Sequence, residues 1–313
     1  MAPIKNILVI GAGELGTQVL LALSNHPNLT NDITISVLLR PSTINSTDPA
    51  RTAELDILKR YNILFVPGDI STAPIQTLTE IFQKYDTIIS CTGFSAGSGT
   101  QLKLARAVLD AGVARYIPWQ FGVDYDLIGR GSAQDLFDEQ LDVRDILRSQ
   151  KVTKWVIIST GMFTSFLFEE SFGVVHLGQK NVVTALGGLD VTVSLTGPKD
   201  IGLVTAEVVL GSVDQDPERE FVNRAVYVAG DTISYKGLAD LVERVTGREV
   251  ERRVRTVQAA KEDLAGEPEN GLYKYQVVFG EGRGVAWDVK ETWNYKKGIR
   301  LQTAEEWARE NLK

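Results

Sequence analysis

The stretch "ILVIGAGELGTQVLLAL" (7–23) sets Gly11, Gly13 and Gly16 directly after an apolar run and at the start of an amphipathic one. In that spacing the first glycine permits a tight turn. The second lets a pyrophosphate approach the backbone, and the third allows a helix to pack closely on a strand. A helix beginning beside Glu14 and Leu15 offers its first N–H groups to the phosphates. The expected chemistry is dinucleotide binding by Gly11, Gly13, Glu14, Leu15 and Gly16, the bland alternative being a plain turn.

The next apolar run decides which dinucleotide. An NAD-binding chain carries an acid there for the ribose 2′-hydroxyl. Here "SVLLRPST" ends in Arg40, with Ser42 and Thr43 behind it. A guanidinium gives bidentate hydrogen bonds to a 2′-phosphate, so the expected cofactor is NADPH/NADP+. A surface arginine at a strand end is the competing explanation. Further on, "SCTGFSAGSG" (90–99) places glycine-rich backbone after another apolar run. Ligands sit at such edges of parallel sheets, which makes Thr92, Gly93 and Phe94 candidates for the ribose and nicotinamide. A loop that only turns the chain is the alternative.

A proton donor is harder to place. The tyrosine followed four residues later by lysine, in which the ammonium lowers the phenol pKa, occurs at none of the tyrosines from Tyr61 to Tyr295. One polar residue stands out instead. In "LFDEQLDVRD" (136–145), read as a helix, Gln140 falls in the apolar stripe of Leu136, Val143 and Leu147. The acids Asp135, Asp138, Glu139, Asp142 and Asp145 take the other side, as a solvated face. An inward amide costs free energy unless it finds partners, which makes Gln140 a candidate site residue. Tyr125, next to Asp124, and His176 are further candidates for the proton, set against ordinary loop or surface roles. Trp119, Gln120, Met162, Phe163 and Phe166, with Phe168, follow strand ends and suit a flat apolar ligand. At helical spacing Phe163 and Phe166 also read as a packing pair. Trp287 and Trp293 are placed by the same reasoning at the rim.

The elements that must position these residues alternate. Apolar runs at 4–10, 33–39, 62–66, 86–90, 115–119 and 153–159 read as buried strands. Amphipathic stretches near 14–25, 50–60, 74–84, 99–111 and 133–149 read as helices. That alternation implies βαβ units and a parallel sheet. Beyond 160 the pattern becomes irregular, with short strands in "NVVTAL" and "VTVSL" and a helix starting at Pro198. The expected fold class is α/β, a Rossmann-type doubly wound parallel sheet with a smaller C-terminal substrate-binding region. The expected division is 1–158 for the NADP(H)-binding domain and 159–313 for the substrate region, interleaved with the sheet.

Composition narrows the classes. A net charge of −7 with no basic run argues against a nucleic-acid surface. A single cysteine, Cys91, rules out an internal disulfide and suits a reducing compartment. Two histidines, His26 and His176, supply no metal-ligand spacing. No apolar stretch reaches the roughly 20 residues of a membrane span. The expectation is a cytoplasmic protein, monomer or homodimer, acting on a small aromatic molecule.

"GAGELG", Arg40, "AGVARYIPWQFGVDYD" (111–126), "ISTGMFTSFLFEE" (158–170), "TGPKDIGLVTAEVV" (196–209) and "YVAGDTISYKGLADLVERVTGREV" (227–250) carry a resemblance over essentially the whole chain. The chain resembles the NmrA-like and isoflavone-reductase-like branch of atypical short-chain dehydrogenases. The resemblance implies reduction of isoflavones, lignan ethers, phenylcoumaran benzylic ethers or aromatic alcohols with NADPH. In those plant relatives P-S-E-F-G stands where this chain has Pro118-Trp119-Gln120-Phe121-Gly122. Their catalytic lysine, three residues before a V-R dipeptide, falls on Gln140 when Val143-Arg144 is the anchor. A carboxamide is neither acid nor base near neutral pH, although its NH2 can orient a carbonyl or a water. Three readings follow from the resemblance. One is a reductase of a carbonyl, alcohol, benzylic ether or imine. Another is a non-catalytic NADP(H)-binding regulator of the NmrA type. The third is an enzyme that keeps the scaffold and changes the reaction.

Overall fold

The structure is a computed structural model that describes residues 3–211 and 220–312. Two compact units are drawn from interleaved stretches of chain. The first takes residues 1–120, 142–158 and 201–225; the second takes 121–141, 159–200 and 226–313.

The first unit holds the main sheet. Its strands are β1 (Asn6–Ile10), β2 (Thr34–Leu39), β3 (Leu64–Pro67), β4 (Thr87–Ser90), β5 (Arg115–Ile117) and β6 (Lys154–Ser159), close to the expected runs. A seventh strand comes from far along the chain, Arg224–Tyr227, and the order places it at the edge, beside β6. From that edge the order runs inward through β6, β5, β4 and β1 to β2 and β3. β1 pairs in parallel with both β2 and β4, so the strand order reverses at β1. Parallel strands covered by helices on both faces need apolar residues throughout. Leu8, Ile10, Ile88, Leu104, Val108, Tyr116 and Trp155 accordingly share one buried cluster. The run at 62–66 corrects the expectation of a buried strand. β3 is the other edge, and Leu64 is 55% exposed.

The second unit carries two small sheets. β7 (Met162–Phe163), Thr192–Thr196 and Asp231–Ser234 form one. Val175–His176, Asn181–Leu186 and Val250–Arg255 form the other. Helices Val257–Gly266 and Gly271–Glu281 belong here, the second capped by Asn270, whose side chain accepts from the N–H groups of Leu272 and Tyr273.

Candidate functional site

Within the first unit the glycine turn has the expected form. Gly11 sits at φ +92°, and its N–H donates to Leu38 O at 3.2 Å. A Cβ on Gly16 would lie 2.1 Å from Gly11 O, so helix Glu14–Ser24 rests directly on the turn. Gly13 is different: nothing lies within 4 Å of the position its Cβ would take. No side chain caps this helix at Gly13, and a helix start of this kind suits an anion.

A cleft of about 280 Å³ opens over the ends of four strands. Gly11, Ala12 and Gly13 line it after β1, Arg40 and Thr43 after β2, Gly68 to Ser71 after β3, and Cys91, Thr92, Gly93 and Ala96 after β4. Arg51, on helix Pro49–Arg60, adds a second guanidinium. Asp69 is held below the usual carboxylate range, first by the Ser71 N–H at 2.9 Å and, more weakly, by Arg40. Burial pushes the Cys91 thiol up, so it stays protonated. Thr92 Oγ1 donates to Ile10 O at 3.1 Å, and Gln101 Nε2 donates to Thr92 O at 2.9 Å, which together fix the loop after β4.

Five of the expected cofactor residues, Gly11, Gly13, Arg40, Thr92 and Gly93, therefore line one cleft. Glu14 is exposed in the first helical turn, Leu15 is buried, Gly16 packs on the turn and Ser42 is exposed on the short helix Pro41–Ile44. Phe94 instead meets Trp119, ring centroids 4.6 Å apart and edge-on. Arg51, Asp69, Ile70, Ser71 and Cys91 were absent from the sequence-based set. A Gly-Asp pair directly after an apolar run was a usable signal for Asp69. Gln120, expected at the substrate, is fully buried, and its Oε1 accepts from Arg144 Nε at 2.8 Å.

In the second unit Gln140 is fully buried on helix Leu136–Arg148, as the apolar stripe requires. The solvated-face reading of the acids needs one correction, because Glu139 is only 9% exposed. Tyr125 is buried, with its phenol oxygen 2.5 Å from where a Cβ on Gly122 would stand. Its ring starts an aromatic row: Phe137 at 4.9 Å, then Tyr275, then Phe166, then Phe172. Met162 is buried in β7, and Phe163 is half-buried at the start of helix Thr164–Leu167. Phe168 stacks on Trp307 at 4.9 Å. His176 is exposed and bonds Glu170 through Nδ1 at 2.5 Å. Trp287 lies against Tyr227, and Tyr227 Oη donates to Asp124 Oδ2 at 2.7 Å. Trp293 sits under the Lys297 ammonium. Among the described residues no cluster of three or more His, Cys, Asp or Glu could hold a metal, and no helix is long and apolar enough to cross a membrane.

Comparison with known proteins extends these observations. The model of the NmrA-like family matches residues 3–308. An NmrA-like family domain-containing oxidoreductase from Gibberella moniliformis is 48% identical over 307 residues, covering 97% of each chain. Two solved structures share the fold. The crystal structure of isoflavone reductase has a TM-score of 0.77 at 18% identity, covering 98% of this chain and 99% of its own. AtPrR2 with NADP+ and (+)pinoresinol gives 0.76 at 22% identity, covering 99% of each chain.

Proposed function

This chain belongs to the NmrA-like family, and we propose that it is an NADPH-dependent reductase of a small aromatic or secondary-metabolite substrate. The reducible group is a carbonyl, alcohol, benzylic ether or imine. One observation carries the reading: an open glycine, Gly13, and two guanidiniums, Arg40 and Arg51, line a single cleft at the reversal of strand order. The name of the 48% identical relative, an oxidoreductase, supports it, and so does the NADP+ beside an aromatic ligand in AtPrR2. The expected division at residue 158, the monomeric or homodimeric state and the cytoplasmic location belong to the same proposal.

NADPH, when bound, supplies a hydride. Every other task falls to the chain. Gly11 to Gly13 admit a pyrophosphate that a side chain at 13 would displace, and the uncapped helix start offers N–H donors. Arg40, Thr43 and Arg51 suit a 2′-phosphate, in which the forked guanidiniums match the tetrahedral oxygens. Thr92 and Gly93 form the other bank of the cleft. Gln140 replaces the family's lysine, and a carboxamide can orient a carbonyl or a water but cannot give up a proton. The proton then comes from water, or none is needed, as when hydride reaches an iminium carbon.

The same glutamine favours a second reading, a redox-sensing regulator that binds NADP(H) without turnover. Following NADPH absorbance against aromatic aldehydes, quinones, benzylic ethers and cyclic imines separates the two. Turnover with any class supports the reductase. Tight NADPH binding with no turnover, and unequal affinity for NADP+, supports the regulator.

A further inference from the structure

Strand order divides the cleft into two banks. β2 and β3 lie on one side of β1 and bring Arg40, Thr43 and Asp69. β4 lies on the other and brings Thr92 and Gly93, and Trp119, two residues beyond β5, packs against that Gly93. The cationic bank suits a phosphorylated ribose. The described residues of the opposite bank, Cys91, Thr92, Gly93 and Ala96, carry no charge, and an indole packs against Gly93.

That indole is fixed from two directions. A Cβ on Gly93 would stand 2.8 Å from Trp119 Cζ2 and 3.1 Å from Cε2, so the ring lies directly on the cleft-lining glycine. Phe94 meets it edge-on, at an interplanar angle of 81°. Trp119 is nonetheless half-buried, which leaves part of its surface accessible. A rigid ring of this kind, with only two side-chain torsions to order, suits contact with another flat ring.

The next residue ties the indole to the body of the unit. Gln120 and Arg144 are both fully buried, and the 2.8 Å bond between them has a guanidinium donor. Bonds to charged donors are shorter and about twice as strong as neutral ones, so this one holds the backbone at residue 120, and with it Trp119. β5, just before the segment, is held by its pairing with β4.

We infer that Trp119 is the wall against which the flat ring at the non-adenosine end of the dinucleotide rests, and that Arg144, through Gln120, positions it. Trp119 is a binding residue; Gln120 and Arg144 are positioning residues. The inference rests on the dinucleotide reading of the cleft and adds to it a specific wall.

The experiment compares a whole ligand with half of one. Calorimetric titration of the full chain uses NADPH and, separately, 2′,5′-ADP, which carries only the adenosine end. Trp119→Leu and Gln120→Leu weaken NADPH by about tenfold or more, a loss of roughly 1.4 kcal/mol, while 2′,5′-ADP binds within about twofold of the unmutated chain. Gln120→Glu preserves an acceptor for Arg144 and keeps NADPH within about threefold. Unchanged NADPH affinity in Trp119→Leu overturns the wall. Equal weakening of both ligands by Gln120→Leu, or failure of Gln120→Glu to hold the NADPH affinity, overturns the positioning role. If Gln120→Leu does not fold, Trp119→Leu and Gln120→Glu still decide. An unmutated chain that binds neither ligand overturns the dinucleotide reading itself, which is a different result.

Discussion

A methyl group on Gly16 would sit 2.1 Å from the carbonyl oxygen of Gly11, whereas one on Gly13, two residues past that turn, would meet nothing within 4 Å. The two glycines therefore serve different ends. Gly16→Ala forces helix Glu14–Ser24 off the turn and is expected to destabilise the chain by about 3 kcal/mol. Gly13 has φ −82°, which alanine accepts. Gly13→Ala is expected to keep or slightly raise stability, by up to about 1 kcal/mol, while weakening NADPH tenfold or more. Thermal melts beside calorimetric titration check the pair. Undiminished NADPH affinity in Gly13→Ala would remove that glycine from the site.

Arg40 should decide between the two nicotinamide dinucleotides. Losing a charge-assisted contact to a 2′-phosphate costs about 1.5–3 kcal/mol, so Arg40→Ala is expected to weaken NADPH by roughly 10- to 100-fold. NADH, without that phosphate, should change little. Arg51 remains, so some preference for NADPH survives the change. Because Arg40 is exposed, the difference shrinks as salt is raised. Equal losses for both dinucleotides would place Arg40 elsewhere than at the 2′ position.

How far the sequence reached depends on whether each feature is local. β1, the glycine turn and the helix behind it are read within about 20 consecutive residues, and Arg40 follows directly from the next strand. The edge position of β3 is different, because strand order depends on pairings between distant segments. "NILFV" looked no different from an interior strand. Gln140 was legible as inward because a helical stripe is periodic. Arg144, on the same helix, was not: its acceptor, Gln120, is 24 residues away, and periodicity cannot see a partner on another element. Helix Gly271–Glu281 hid for another reason. Its Tyr273, Tyr275, Val277, Val278 and Phe279 are types that favour strands, and packing overrides that preference.

Gln140→Lys tests the route of the proton. A lysine at this fully buried position has its pKa pushed down by desolvation. The folded state then binds fewer protons than the unfolded chain between the lowered value and about 10.4, so the variant's stability rises with pH across that window. The destabilisation is expected to be greatest below it, on the order of 2 kcal/mol at neutral pH, and to fade in alkali. A large gain in aromatic carbonyl reduction would mark Gln140 as the site of a lost acid. Loss of the native activity would mark the carboxamide as the working group. pH-resolved melts and NADPH consumption read the two effects separately.

Asp200 gives a pH dependence of the opposite sign. Burial raises its carboxyl above the ordinary value near 3.8, and Glu306 adds to the rise. The Gln302 N–H, 2.7 Å from Oδ2, pulls the other way, as do Lys199 and Arg300. The net shift is upward, so the folded state holds this proton more tightly than the unfolded chain. The stabilisation is complete below 3.8 and is lost as pH rises through the folded value. Asp200→Asn keeps an oxygen for Gln302 and has no charge to desolvate. It is expected to melt above the parent at neutral pH and to converge with it in acid. A variant that melts lower at neutral pH would show that the charge itself, through Arg300 or Lys199, contributes more than its burial costs.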